Sequence, residues 1–140
     1  MISLKEKYKK EVVPAMMKEF DLKSEMAVPR ISKVVLNVGI GKRIADMGSG
    51  QKKKVIENIS NDLAKITGQK PVITKVKRSI SGFKIRRGME AGISVVLREK
   101  KMLDFLMRLI HVVFPRTRDF TGLNPDSVDK EGNFSLGIEE

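Results

Sequence analysis

No cysteine occurs in the 140 residues, which excludes a disulfide framework, a thiolate nucleophile and a cysteine-based metal site. A single histidine, His111, is too few for a histidine-rich metal centre. Tryptophan is absent, and the aromatic set is Tyr8 plus six phenylalanines, most of them on faces predicted to be core. Readers of single-stranded nucleic acid expose rings for base stacking, so that mode is disfavoured here. No run approaches the roughly 20 apolar residues needed to cross a bilayer. The opening MISLKEKYKKEVV has charges every few residues and no apolar run of the kind a secretion signal needs. The reading is a soluble, cytoplasmic chain with no membrane partner.

Acidic residues are also scarce. Against 17 of them stand 28 lysines and arginines, for a net charge of +11 and a pI near 10.0. The excess is uneven: residues 1–47 carry ten basic and six acidic side chains, 48–100 carry thirteen and four, and 101–140 carry five and seven. The middle of the chain thus supplies +9 of the total, whereas a merely solubilising surface mixes its signs. Such a pole repels itself, and a polyanion is the usual compensation. The length suits one domain, and 41% hydrophobic residues are enough for a core, so residues 1–140 are expected to form a single domain.

The charge peaks in ITKVKRSISGFKIRRG, residues 73–88, where Lys75, Lys77, Arg78, Lys84, Arg86 and Arg87 have no acid among them. Gly82 and Gly88 let a ligand approach the backbone, Ser79 and Ser81 add neutral phosphate donors, and arginine pairs with phosphate in bidentate fashion. Glycines and sparse bulky apolar residues oppose a membrane-binding amphipathic helix. Structured RNA or DNA, bound through backbone and shape, fits better, and composition does not choose between the two.

Periodicity predicts a first helix from a Ser3 cap to about Phe20, with a kink or break at Pro14, and Leu4, Val12, Ala15, Met16 and Met17 available for burial. RISKVVLNVGIG reads as a strand with Val34, Leu36, Val38 and Ile40 on one face and Lys33, Val35 and Asn37 on the other. A helix follows, with Val55, Ile56, Ile59, Leu63 and Ile66 as its stripe and Gly68 as its stop. Residues 71–76 are predicted as a strand with Val72, Thr74 and Val76 on one side and Lys75 and Lys77 on the other. A loop or irregular hairpin arm over about 76–90 leads to the strand GISVVLR, with Ile93, Val95 and Leu97 inward. Met102, Phe105, Leu106, Leu109, Ile110 and Val113 stripe a helix ended by Pro115, and Phe134, Leu136 and Ile138 alternate near the end. The expected fold is α+β, a two-layer sandwich of mixed or antiparallel sheet with helices on one face. Its other face should collect Lys33, Asn37, Lys75, Lys77, Ser94 and Arg98.

No catalytic constellation emerges. GIGK at 39–42 lacks the GxxxxGK[ST] spacing of a phosphate loop and reads as a strand-end turn. His111 has no nucleophile pattern around it, and Asp126, Asp129 and Glu131 lack the calcium-loop spacing, so they read as a surface or half-buried structural histidine and a solvated turn. No enzyme activity and no cofactor is expected.

The stretches EVVPAMMKEF, MAVPRISKVVLNVGIG, ITGQKPVITKVKRSISGFKIRRG, VVLREKKMLDFLMRLI, FPRTRDFTGL and GNFSLGIEE, in this order, closely resemble the large-subunit ribosomal protein five (L-five) family. The resemblance implies a structural protein of the central protuberance that binds 5S rRNA and touches 23S rRNA. It places Asn37, Gln69, Lys70 and Arg98 against 5S rRNA, and Lys33 and Lys75 join them from the sheet reading. It implies that the arm, with Lys77, Arg78, Ser79, Ser81, Lys84, Arg86 and Arg87, reaches P-site tRNA, and that small-subunit ribosomal protein thirteen is touched across the subunit interface. Ser94 and Val96 stand where the family commonly has Lys and Thr. Met47–Lys54 is longer than usual and brings Lys52–Lys54 to a possible wider footprint. Family members are expected to continue for several tens of residues beyond GIEE.

Overall fold

The computed structural model describes residues 3–138. Two compact units divide the chain, Met1–Phe105 and Leu106–Glu140.

The first unit opens with helical residues in three parts: α1 (Leu4–Lys7), a π-helical turn (Tyr8–Val12) and α2 (Val13–Glu19). Proline has no N–H to donate, and its ring crowds the carbonyl four residues back. The chain answers by widening the turn before Pro14, so that Val13 N–H donates to the Tyr8 carbonyl five residues earlier. The helix is therefore neither broken nor ended there. Ser3 does not cap it through its side chain; only its carbonyl is used, accepting from Lys7 N–H at 3.0 Å. Leu4, Met16 and Met17 are half-buried, whereas Val12 and Ala15 are exposed, so the predicted stripe is only partly covered. The Tyr8 hydroxyl donates to the Pro29 carbonyl at 2.8 Å and ties this segment to the approach to the sheet.

Strand β1 (Val34–Gly39) alternates as its sequence demands, with Val34, Leu36 and Val38 turned inward. Ile40, fully buried, donates its N–H to the Ala91 carbonyl at 3.1 Å, and one helical turn, α3 (Gly41–Ile44), follows. GIGK is thus the expected strand-end turn. Helix α4 (Ser49–Thr67) starts from Gly48 and stops at Gly68, whose φ of 66° is the left-handed cap that glycine tolerates best. It buries Ile56, Leu63 and Thr67, while Ile66, expected in the stripe, is exposed. Strands β2 (Val72–Lys75) and β3 (Glu90–Leu97) complete an antiparallel sheet of order β1-β3-β2. The central strand carries the core: Ile93, Val95 and Leu97 are buried, with α3 and α4 packed against β3. Helix α5 (Glu99–Arg108) adds Met102 and Phe105. The fold is α+β, an open antiparallel sheet with helices.

In the second unit a π-helical turn (Leu109–Val113) and α6 (Phe114–Arg116) repeat the earlier device. Phe114 N–H donates five residues back to Leu109, immediately before Pro115. The helical backbone consequently runs one residue past the proline that was expected to end it. Ile110 is exposed, and so is His111, which takes the surface alternative over the half-buried one. Phe114 and Phe120 stack with ring centroids 4.8 Å apart. The alternating Phe134, Leu136 and Ile138 form no strand and stay exposed; the local pairing is a single bridge between Val128 and Phe134. The Asp129 carboxylate accepts from the N–H groups of Glu131 (2.9 Å) and Asn133 (2.8 Å) and from the Asn133 side-chain amide (3.0 Å). Those bonds, chiefly from Asn133, hold its pKa below the usual carboxylate value. The acidic cluster is a hydrogen-bonded turn, and no group of acids or histidine suited to a metal exists among the described residues.

Candidate nucleic-acid interface

Antiparallel register fixes which side chains share the uncovered face of the sheet. Val35 lies opposite Val96, Asn37 opposite Ser94, and Gly39 opposite Gly92. From the other edge, Val72 also faces Ser94, and Thr74 faces Gly92. The open face therefore has a valine row, a polar row of Asn37 and Ser94 ending on Val72, and a row of two glycines ending on Thr74. A Cβ on Gly92 would lie 2.9 Å from the Val38 carbonyl, 3.1 Å from Thr74 Oγ1 and 3.5 Å from Asn37 Oδ1. The missing side chain is what lets two polar groups converge above the central strand. Among the described residues, the side chains of Asn37, Ser94 and Thr74 have no hydrogen-bond partner. They are free to donate and accept.

Lys33 and Arg98 flank the paired residues Val34 and Leu97, so both stand at one end of this sheet, and both are exposed. Gln69 and Lys70, also exposed, lead into β2. Their backbone is held by Thr67, which sequence reasoning missed. Its buried hydroxyl donates its one hydrogen to the Leu63 carbonyl (2.7 Å), with the Gln69 carbonyl 3.2 Å away, and accepts from Gln69 N–H (3.3 Å). A threonine just before a helix-ending glycine is the signal that was available. Lys101 Nζ donates to the Gly68 carbonyl at 2.7 Å, a cation placed at the negative end of α4.

Two lysines leave the predicted face. Alternation along β2 puts Val72 and Thr74 on the open side and Ile73 and Lys75 on the helix side, the reverse of the expected arrangement. Lys75 pairs with Glu90 across a register shift, and Glu90 lines a helix-side crevice with Lys53, Ile56, Glu57, Ser60 and Ile73. Lys77 lies beyond β2 altogether, in the bend that begins the arm. The physical reason is that Val72 and Ile73 put an apolar residue at each parity, so the pattern of β2 fits either face and its pairing with β3 decides between them.

The arm is the irregular hairpin that its glycines suggested. Its base is closed by Val76 N–H to the Met89 carbonyl (2.7 Å) and Gly88 N–H to the Val76 carbonyl (2.9 Å). Further out, Ile80 and Ile85 exchange both backbone bonds, at 3.1 and 3.3 Å. Ser79 Oγ accepts from Arg87 N–H at 2.9 Å, which pins the two limbs while its own O–H stays available as a donor. The tip is a 3-10 turn, Ser81–Phe83, closed by Lys84 at φ 53°. Lys77, Arg78, Lys84, Arg86 and Arg87 are exposed, and none has a side-chain bond or ion pair among the described residues. The expectation that most rings are core does not hold: Phe20, Phe83, Phe120 and Phe134 are exposed.

Residues 24–86 match the family described as ribosomal protein L5, and residues 90–140 match the separate model for the C-terminus of that ribosomal family. The chain is 52% identical over 141 residues to large ribosomal subunit protein uL5 of Kosmotoga olearia, covering 99% of this chain and 73% of that protein. It is 49% identical over 140 residues to the uL5 of Caldanaerobacter subterraneus, covering 100% and 75% respectively. The uL5 of Chloroflexus aurantiacus is 52% identical over 139 residues, covering 99% and 74%.

Proposed function

The chain belongs to the ribosomal protein L5 family, a structural constituent of the large subunit of the cytoplasmic ribosome and not an enzyme, and on that footing we propose how it divides its RNA contacts. The open sheet face, with Asn37, Lys33, Arg98 and the adjoining Gln69 and Lys70, binds 5S rRNA in the central protuberance, and neighbouring cations touch 23S rRNA. The arm, with Lys77, Arg78, Ser79, Ser81, Lys84, Arg86 and Arg87, reaches P-site tRNA. Lys75 contributes from the helix side of β2 and not from the open face. Small-subunit ribosomal protein thirteen is the partner across the subunit interface.

One observation carries this reading: a three-stranded sheet leaves one face uncovered, and that face holds a row of unpartnered polar side chains, Asn37 and Ser94. A purely structural sheet would be covered or uniformly hydrated, without a glycine floor shaped beneath its polar groups. RNA offers phosphates and 2′-hydroxyls to such groups.

The test is competition at moderate salt between folded 5S rRNA and duplex DNA of equal length. Selective retention of 5S rRNA is expected, and equal affinity for both overturns the assignment. If about five or six phosphates are neutralised, the log–log salt slope should be roughly −4 to −5.

A further inference from the structure

The arm exposes a ring where a folding chain has no use for one. Phe83 is 77% exposed, makes no ring contact with another aromatic among the described residues, and sits at the end of the 3-10 turn at the tip. It is not on a loose loop: the Ile80–Ile85 pair and the Ser79–Arg87 bond close the hairpin directly beneath it. Lys84 follows it directly, and Lys77, Arg78, Arg86 and Arg87 lie on the two limbs. No acidic residue occurs between Asp62 and Glu90.

We propose that Phe83 is a stacking platform for a nucleobase that is unpaired or ends a base stack, held in place while the surrounding cations engage phosphates. The proposal rests on the reading of the arm as an RNA contact and goes beyond it by naming the ring and the face of RNA it takes. Phosphate contacts alone carry no requirement for an exposed aromatic, and they do not discriminate one RNA surface from another. A ring stacks on any base because every base presents a π-face, and flanking guanidinium groups add cation–π attraction. An apolar protein partner is a poorer fit, since the same arm carries five exposed cations with no side-chain partner among the described residues. A bilayer would ask for a broad apolar face, which a hairpin tip with Gly82 beside Phe83 does not offer.

The chain has no tryptophan, so Phe83→Trp introduces one reporter into the 140-residue chain. Its emission is followed with tRNA, with folded 5S rRNA and with long continuous double-stranded RNA, while binding is measured separately by filter retention. Quenching by tRNA or by 5S rRNA, without quenching by bound continuous duplex, is the expected result, and the RNA that quenches identifies the source of the base. Phe83→Leu should then weaken binding of that RNA about tenfold, and Phe83→Tyr should restore it, because leucine keeps the apolar surface and loses the π-face. RNA that is retained without quenching overturns the stacking and leaves the RNA-binding reading standing. Failure to retain any RNA overturns both. Equal binding by the leucine variant, or an emission change with anionic phosphatidylserine vesicles alone, also overturns the stacking and marks the tip as an apolar docking point.

Discussion

The open sheet face and the arm are the two RNA contacts proposed for this chain, yet they are built on opposite principles. The sheet face is specified from beneath. Ile93 and Leu97 are fully buried under the same strand that carries Ser94 on top, so the position of every open-face group is fixed by the core. The arm has no core of its own. It is held by a few backbone bonds and one serine hydroxyl, and its cations point into water without partners. A rigid face suits a permanent partner. Exposed cations, screened within about 8–10 Å at physiological salt, suit a partner that must leave.

The largest effect should come from removing the support of the face. Ile93→Ala empties a fully buried site on the central strand and should cost ~2–5 kcal/mol in denaturant unfolding. The pair Arg86→Ala and Arg87→Ala should change unfolding by no more than about 0.5 kcal/mol, since both side chains are exposed. A comparable loss in the arm variant would erase the distinction between the two regions.

Glycine substitutions sharpen it. Gly92→Ala drives a Cβ to 2.9 Å from the Val38 carbonyl, a backbone atom that cannot swing away, and should destabilise by ~1–3 kcal/mol. At Gly82 in the arm nothing lies within 4 Å of the added Cβ, so Gly82→Ala should leave the unfolding midpoint nearly unchanged. If the two alanines behaved alike, the floor beneath Asn37 and Thr74 would not be the constraint described.

Binding should separate the regions next. Arg86→Ala with Arg87→Ala should weaken tRNA binding and flatten its log–log salt slope by about 2, one phosphate for each arginine, while 5S rRNA affinity is retained. Loss of 5S binding alone would reassign the arm. Asn37→Ala should do the reverse, with a loss of ~1 kcal/mol, or about fivefold, in 5S rRNA affinity and none in tRNA affinity. Unchanged 5S affinity would remove Asn37 from the site.

Much of this division could be read before any coordinates. The strict alternation of VVLNVG assigned the faces of β1 correctly, because one of its faces is wholly apolar and the other is interrupted by Asn37. The arm was visible as a hairpin through its two glycines and its lack of acids. β2 was misread for the opposite reason. VITK has apolar or neutral residues at both parities, so two face assignments fit equally well, and neighbouring pairings settled the matter. Pro14 was read as a kink or a break and Pro115 as a helix end because the period-3.6 template has no place for them. The backbone instead found a wider turn, an option that residue identity alone does not announce.

What the sequence determined by itself was the charge pole, the absence of thiol chemistry, the buried parity of β1 and β3, and the stop of α4 at Gly68. These follow from composition and from local stereochemistry, which act within a few residues. Only the tertiary structure decided which β2 side chains share a face with Asn37, that Gly92 clears the space where Asn37 and Thr74 meet, that Thr67 fixes the backbone of Gln69, and that Phe83 stands in solvent. Each of those depends on register and closure between segments far apart in the chain, and distance along a sequence does not encode distance across a sheet.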